Sequence, residues 1–72
     1  MKELVIKDDF IKFDAALKFS GAVSTGGQAK IVIQEGLVSV NGEVCTMRGK
    51  KLRNGDTLKF ENFEFIIKNE SK

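Results

Sequence analysis

A short basic segment is the part of this sequence with the clearest chemistry. Arg48-Gly49-Lys50-Lys51-Leu52-Arg53 places four cationic side chains within six residues. Lys and Arg at this density are typical of segments that contact the phosphates of nucleic acids. A solvated loop that is kept soluble by its charge has the same composition, and the segment alone does not separate the two interpretations.

A second pattern predicts a helix start with room for a phosphate. Thr25-Gly26-Gly27-Gln28 has the form of a capping box, in which the Thr and Gln side chains each pair with an otherwise unpaired backbone amide. Amides and the positive end of the helix dipole converge there, and Gly26 and Gly27 carry no side chain to block an anion. Most such starts are only well-capped helices. Lys12 lies in the first predicted helix and Lys30 in the second. Both would contribute to phosphate binding if the packing of the two helices places them on the same side as the basic segment.

The residues that are missing exclude several kinds of site. The sequence has no His and a single Cys, so it can assemble neither a Cys/His zinc cage nor a Ser-His or Cys-His nucleophile, and we expect no cofactor. Cys45 has no partner for an internal disulfide, which favours a reducing compartment. Asp8 and Asp9 are better explained as helix-capping residues than as an acid-base pair.

No strictly apolar run exceeds three residues, so no signal peptide or membrane span is predicted, and the expected location is cytoplasmic.

The length predicts a single small domain, and its charge is unevenly distributed. We expect one domain over residues 1–72, with its function on the surface, because a chain this short buries only about 60% of its unfolded surface. The net charge of +2 hides a polarised chain: residues 12–53 carry seven basic and three acidic side chains, and each flank carries a net charge of −1. The six Phe residues are better explained by a core than by base stacking. Phe19 is the exception, because it lies off the apolar stripe of its helix.

Hydrophobic periodicity predicts two helices and several short strands. Apolar residues spaced by three and four predict a first helix over 10–20, capped by Asp8 or Asp9 and ended by Gly21. The second helix is predicted over 26–35, with Gly36 as its terminator. Asn41-Gly42 is a hairpin turn signal, and residues 47–53 are predicted to be a loop or an irregular edge. Strand composition occurs at residues 4–6, 37–40, 43–46, 57–60 and 63–67. The predicted class is α+β, with two packed helices against a small, mainly antiparallel sheet.

The order of these features over residues 10–58 resembles the alpha-L RNA-binding motif, the domain type of small-subunit ribosomal protein S-four. Four features carry the likeness: Lys12-Phe13-Asp14, the Ser24–Lys30 start of the second helix, Ile33-x-x-Gly36-x-Val38-x-Val40-Asn41-Gly42, and Gly55-Asp56. The short length and the Arg48–Leu52 phrase look most like the stand-alone bacterial members. The family's usual Arg-Leu-Asp is Lys12-Phe13-Asp14 here, its Ser-Arg-Ser helix start aligns with Thr25-Gly26-Gly27, and a usual basic position falls on Ile31.

The resemblance implies a non-enzymatic protein that binds structured ribosomal RNA, in ribosome assembly or rescue. We predict a monomer whose partner is RNA, with no membrane and no small-molecule substrate. The predicted RNA-binding residues are Lys12, Thr25, Gly26, Gly27, Gln28, Lys30, Arg48, Lys50, Lys51 and Arg53. The alternative is a protein-interaction adaptor or a ubiquitin-like carrier, because Val40-Asn41-Gly42-Glu43 also occurs in ubiquitin-like sulfur carriers. Carrier activation needs a C-terminal Gly-Gly, whereas this sequence ends Glu70-Ser71-Lys72.

Overall fold

The structure is a computed structural model that describes residues 2–70, and these form two helices and seven short strands. In chain order they are β1 (Lys2–Ile6), β2 (Ile11–Lys12), α1 (Phe13–Phe19), α2 (Gly26–Gln34), β3 (Val38–Val40), β4 (Glu43–Val44), β5 (Lys51–Leu52), β6 (Thr57–Phe60) and β7 (Phe63–Asn69). Five strands make one sheet in the order β1-β7-β6-β3-β4, and β2 and β5 make a separate two-stranded ribbon. Only the β1–β7 pair is parallel among these described strands. The predicted α+β class with a mainly antiparallel sheet is confirmed.

Local sequence signals located α2 and the hairpin correctly. Thr25 Oγ1 accepts a hydrogen bond from the Gln28 amide at 3.1 Å, and Gln28 Oε1 accepts one from the Ser24 amide at 3.0 Å. The turn between β3 and β4 has Asn41 at φ 52° and Gly42 at φ 87°. Two consecutive positive φ values are what a two-residue type I′ hairpin requires, and the Asn-Gly dipeptide tolerates them best. Both elements depend on neighbours in the chain, which is why the sequence located them.

The first helix begins later than predicted, and the predicted caps are wrong. Helix α1 starts at Phe13 rather than at Phe10, and its N-cap is Lys12, whose side chain makes no capping hydrogen bond. Neither Asp8 nor Asp9 is at the helix start. Ile11 and Lys12 instead pair with β5, which holds the Lys12 backbone extended at ψ 146°. This pairing with a distant segment overrides the helical periodicity of the apolar residues.

One hydrophobic cluster joins the helices, the sheet and the ribbon. Buried positions alternate along β6 and β7, so one face of the sheet is buried with the helices, as expected for a half-buried antiparallel sheet. Leu52 of the ribbon is fully buried in the same cluster, and Ile11 packs against it. The ribbon is therefore attached to the core by one face, and its other face is directed outward.

Candidate nucleic-acid interface

The outward face of the β2–β5 ribbon carries two of the predicted site residues. Lys12 lies opposite Lys51, and Ile11 lies opposite Leu52. Side chains on a strand alternate between its two faces, so the inward position of Ile11 and Leu52 places Lys12 and Lys51 on the solvent side. Both lysines are exposed.

Phe10 brings a third cation to this face. Lys51 Nζ lies 4.8 Å from the centroid of the Phe10 ring, and Arg53 Cζ lies 5.8 Å from it. Each distance is within the range of a cation–π interaction, which contributes about 0.5–1 kcal/mol at an exposed position. Phe10 was predicted to be part of the buried helix stripe. It is half-buried in an extended segment instead, where it restricts two of the predicted phosphate-binding side chains.

Backbone hydrogen bonds attach the remaining basic residues to the start of α1. The Phe13 amide donates to the Lys50 carbonyl at 2.9 Å, and the Asp14 amide donates to the Arg48 carbonyl at 3.3 Å. A helix leaves its first amides without an internal partner. The basic segment supplies acceptors for the first two amides of α1, and Asp14 Oδ1 accepts from the Ala15 amide at 2.8 Å. These backbone contacts gather Lys12, Arg48, Lys50, Lys51 and Arg53 around the start of α1, and we call this group of five cations the basic strip.

The cations of the basic strip are not neutralised by neighbouring carboxylates. Among residues 2–70, the ion pair that the structure shows is Lys59 with Glu64, at 3.9 Å. Asp9 shares a shallow depression with Arg53 but makes no ion pair with it. All five side chains of the strip are exposed. They are available to contact an anion without first breaking an internal pair.

A hydrogen-bond network orients the end of the strip, and the sequence did not reveal this role. Asp56 Oδ2 accepts from the Arg53 amide at 2.8 Å, and Asp56 Oδ1 accepts from Asn41 Nδ2 at 3.0 Å. Asn41 Oδ1 in turn accepts from the Thr57 amide at 2.9 Å. The sequence predicts a turn at Asn41-Gly42, and this pair and Gly55-Asp56 both carry the family resemblance. Their side chains also connect the hairpin to the turn that follows Arg53.

Replacing Asp56 with Ala is expected to lower the free energy of unfolding by about 1–3 kcal/mol, because two donors lose their acceptor. Urea denaturation followed by circular dichroism measures the change. Glu43→Ala, in exposed strand β4, is the control and is expected to stay within about 0.5 kcal/mol of the parent. Equal stability of the two variants would show that the Asp56 network does not hold the turn.

The other predicted contact, at the start of α2, lies apart from the basic strip. The Val23 amide donates to the Leu17 carbonyl at 3.4 Å, which places this helix start near the C-terminal end of α1, whereas the strip lies at its N-terminal end. Helix α1 has 7 residues, so the two places are separated by about 10 Å along its axis. Lys30 is exposed on α2. Within the described chain, no hydrogen bond or ion pair connects Lys30 or the 25–28 segment to the strip.

Gly26 and Gly27 are not required by packing. A Cβ at Gly26 would meet no atom within 4 Å, and one at Gly27 would meet only Thr25 Oγ1, at 3.9 Å. Their amides are the first two of α2, so no carbonyl of a preceding turn can accept from them. The side-chain oxygens of Thr25 and Gln28 are already used in capping. Backbone amides, rather than those side chains, are what this helix start offers to an anion.

Comparison with known proteins identifies the family. The family model described as the S4 domain matches residues 4–68. The chain belongs to the S4 domain family. The resemblance to the alpha-L motif, which the sequence showed over residues 10–58, is thereby confirmed, and the match to the S4 domain extends it to include most of β1 and β7.

Two relatives of this S4 domain cover most of its length. A protein of Bacillus subtilis (strain 168) with the name "Probable ribosome maturation protein RlbA" is 36% identical over 58 residues, which are 81% of this chain and 82% of that protein. The solution structure of YbcJ from E. coli, described as revealing an alfaL motif involved in RNA-binding, has a TM-score of 0.72 and 32% identity. It covers 94% of this chain, and the match includes 87% of the YbcJ chain.

Two further features of the S4 domain bear on what it could bind. Neither helix within residues 2–70 is long and apolar enough to cross a membrane. The same residues contain no group of three or more His, Cys, Asp or Glu side chains that could hold a metal ion. Cys45 is a free, half-buried thiol.

Proposed function

We propose that this S4 domain is a non-enzymatic protein that binds structured RNA, with ribosomal RNA as its target, during ribosome assembly or rescue. The observation that carries the proposal is the basic strip, with five exposed cations around the start of α1 and no ion pair to any carboxylate of the described chain. Contacts of this kind go to the phosphate backbone, so they position an RNA without reading much of its sequence. Family membership supports the same function.

The start of α2 adds a second set of contacts in this proposal. Lys30 and the amides of Gly26 and Gly27 would bind a phosphate other than those that the strip contacts. Thr25 and Gln28 contribute by holding the helix start in shape. Glycine allows a backbone to approach a ligand closely because it has no side chain. Close approach of a phosphate would explain Gly26 and Gly27, which the packing does not require.

The two relatives support the choice of RNA. One carries a name that refers to ribosome maturation, and the other is described as having a motif involved in RNA-binding. Both relatives are bacterial proteins, and bacteria assemble their ribosomes in the cytoplasm, which is the location we propose.

Salt dependence of RNA affinity tests the proposal. If four to seven phosphates are neutralised, the slope of log K against log salt is expected to be roughly −3 to −6. Fluorescence anisotropy with ribosomal RNA fragments, measured between low and physiological salt, gives this slope. A slope near zero, or no binding at low salt, would exclude RNA binding through the strip.

Crosslinking in cells identifies the partner. Recovery of ribosomal RNA with the protein is the expected result. An adaptor that docks on an acidic protein through the same cations would instead be captured with that protein, and capture would survive ribonuclease treatment. Loss of all captured partners after ribonuclease supports the RNA-binding function.

A further inference from the structure

An apolar groove lies next to the basic strip. Leu4 and Val5 of β1, Phe10 and Ile11 before α1, and Phe19 at the end of α1 line an open groove of about 380 Å³. We call it the aromatic groove. Phe19 is 70% exposed and Val5 is 54% exposed, although a small domain gains stability by burying such side chains. The core therefore does not account for the position of the Phe19 ring.

The groove and the basic strip share a wall. Phe10 lines the groove, and the same ring lies against Lys51 at 4.8 Å and Arg53 at 5.8 Å. Lys7 and Asp8, which also line the groove, carry opposite charges and offset each other. Lys51 and Arg53 therefore make the Phe10 side of the groove positively charged. A ligand with an apolar face and adjacent negative groups fits this combination best.

An unpaired nucleotide has this combination of properties. Its base presents a flat face that can stack on an aromatic ring, and its phosphates carry the negative charge. The volume of the groove is near the lower end of the range of small-molecule sites, roughly 300–1,000 Å³, so it suits one base better than a helix or a second folded surface.

We propose that the aromatic groove binds one unpaired base of the RNA, stacked on Phe19, while Lys51 and Arg53 contact the adjacent phosphates. This inference rests on the proposed function and adds a preference that the basic strip alone does not supply. Phosphate contacts treat paired and unpaired regions similarly, whereas a stacking site is filled only where a base has left its helix.

Two RNA hairpins that differ by one nucleotide test the inference. One has a fully paired stem, and the other has the same stem with a single bulged adenosine. We expect the protein to bind the bulged hairpin more tightly by roughly 5- to 150-fold, the effect of one stacked base. Phe19→Leu is expected to remove this difference and to leave the affinity for the paired hairpin unchanged. Phe19→Tyr, which keeps an aromatic face, is expected to retain it.

Leu37→Ala is the matched control, because Leu37 is also an exposed apolar residue, at 52%, and does not line the groove. It should leave the preference for the bulged hairpin intact. The inference is wrong if the parent binds the two hairpins equally, or if Phe19→Leu keeps the preference. Absence of binding to either hairpin is a different result, since it contradicts the proposed function itself and the inference with it.

A fluorescent variant reports on the groove directly. The sequence contains no Trp and no Tyr, so Phe19→Trp introduces a single indole whose emission is expected to be quenched by the bulged hairpin and not by the paired one. Sedimentation of the parent and of Phe19→Leu tests a competing occupant. A dimer that Phe19→Leu dissociates would assign the groove to a second copy of the chain and overturn the inference.

Discussion

Replacing Arg48, Lys50, Lys51 and Arg53 together with Ala is expected to weaken RNA binding by about 100- to 1,000-fold at moderate salt. Each contact between a cation and a phosphate contributes on the order of 1 kcal/mol, and four are removed. The slope of log K against log salt should become less negative by about 3. All four side chains are exposed, so the folded structure is expected to persist. Anisotropy titrations at several salt concentrations, with circular dichroism to verify folding, measure both effects.

A pair of double variants separates the position of the charges from their number. Lys50→Ala with Lys51→Ala removes two lysines from the basic strip, and Lys2→Ala with Lys59→Ala removes two exposed lysines from the five-stranded sheet. Both variants have the same net charge. We expect the first to shift the salt slope by about 1.5 and the second by much less. Equal effects would mean that the RNA responds to overall charge and that the basic strip is not the binding surface.

Leu52→Ala is expected to lower the free energy of unfolding by about 2–5 kcal/mol. Leu52 is 0% exposed, and truncation of a fully buried leucine removes apolar contacts and leaves a cavity. Leu52 lies between two residues of the basic strip and attaches the ribbon to the core, so the strip should lose its order before the rest of the molecule does. Urea denaturation gives the overall change. Hydrogen exchange at the amides of residues 11–14, which pair with the basic segment, reports on the local change.

Val44→Ala is the control for this prediction, because Val44 is also an apolar strand residue but is 61% exposed. It is expected to change the free energy of unfolding by less than about 0.5 kcal/mol. A similar loss in both variants would indicate that Leu52 is not the main attachment of the ribbon. Faster exchange at residues 11–14 in Leu52→Ala alone would support the role assigned to it.

The elements that the sequence located correctly have their causes within a few residues. Helix α2 begins where Thr25 and Gln28 cap it, and it is followed by Gly36 at φ 74°. The β3–β4 hairpin turns at Asn41-Gly42, and β6 and β7 are joined through the 61–62 turn, with Glu61 at φ 54°. At the start of α2 and at the β3–β4 turn, a side chain or a missing Cβ acts on its own neighbours, so a single sequence contains the information.

The boundary of α1 and the partner of β1 depend on distant residues. Phe10 has helical spacing relative to Phe13, but it lies outside α1 because the chain beside it pairs with β5. The strand composition of residues 4–6 predicts a strand, and the parallel pairing of β1 with β7 joins the two ends of the described chain. Neither the β2–β5 pairing nor the β1–β7 pairing can be recognised from the hydrophobic periodicity of the paired segments.

The chemistry of the candidate site could be predicted from the sequence: a high density of Lys and Arg between residues 48 and 53, a capped helix start with two glycines, and a family motif. The arrangement of these parts follows from the folded structure. It placed Lys12 beside Lys51, set two cations against Phe10, used Asp56 and Asn41 to orient the turn after Arg53, and left Phe19 exposed in a groove. The physical reason is that charge and capping are properties of a residue and its neighbours, whereas a shared surface depends on backbone pairing and burial between segments far apart in the chain.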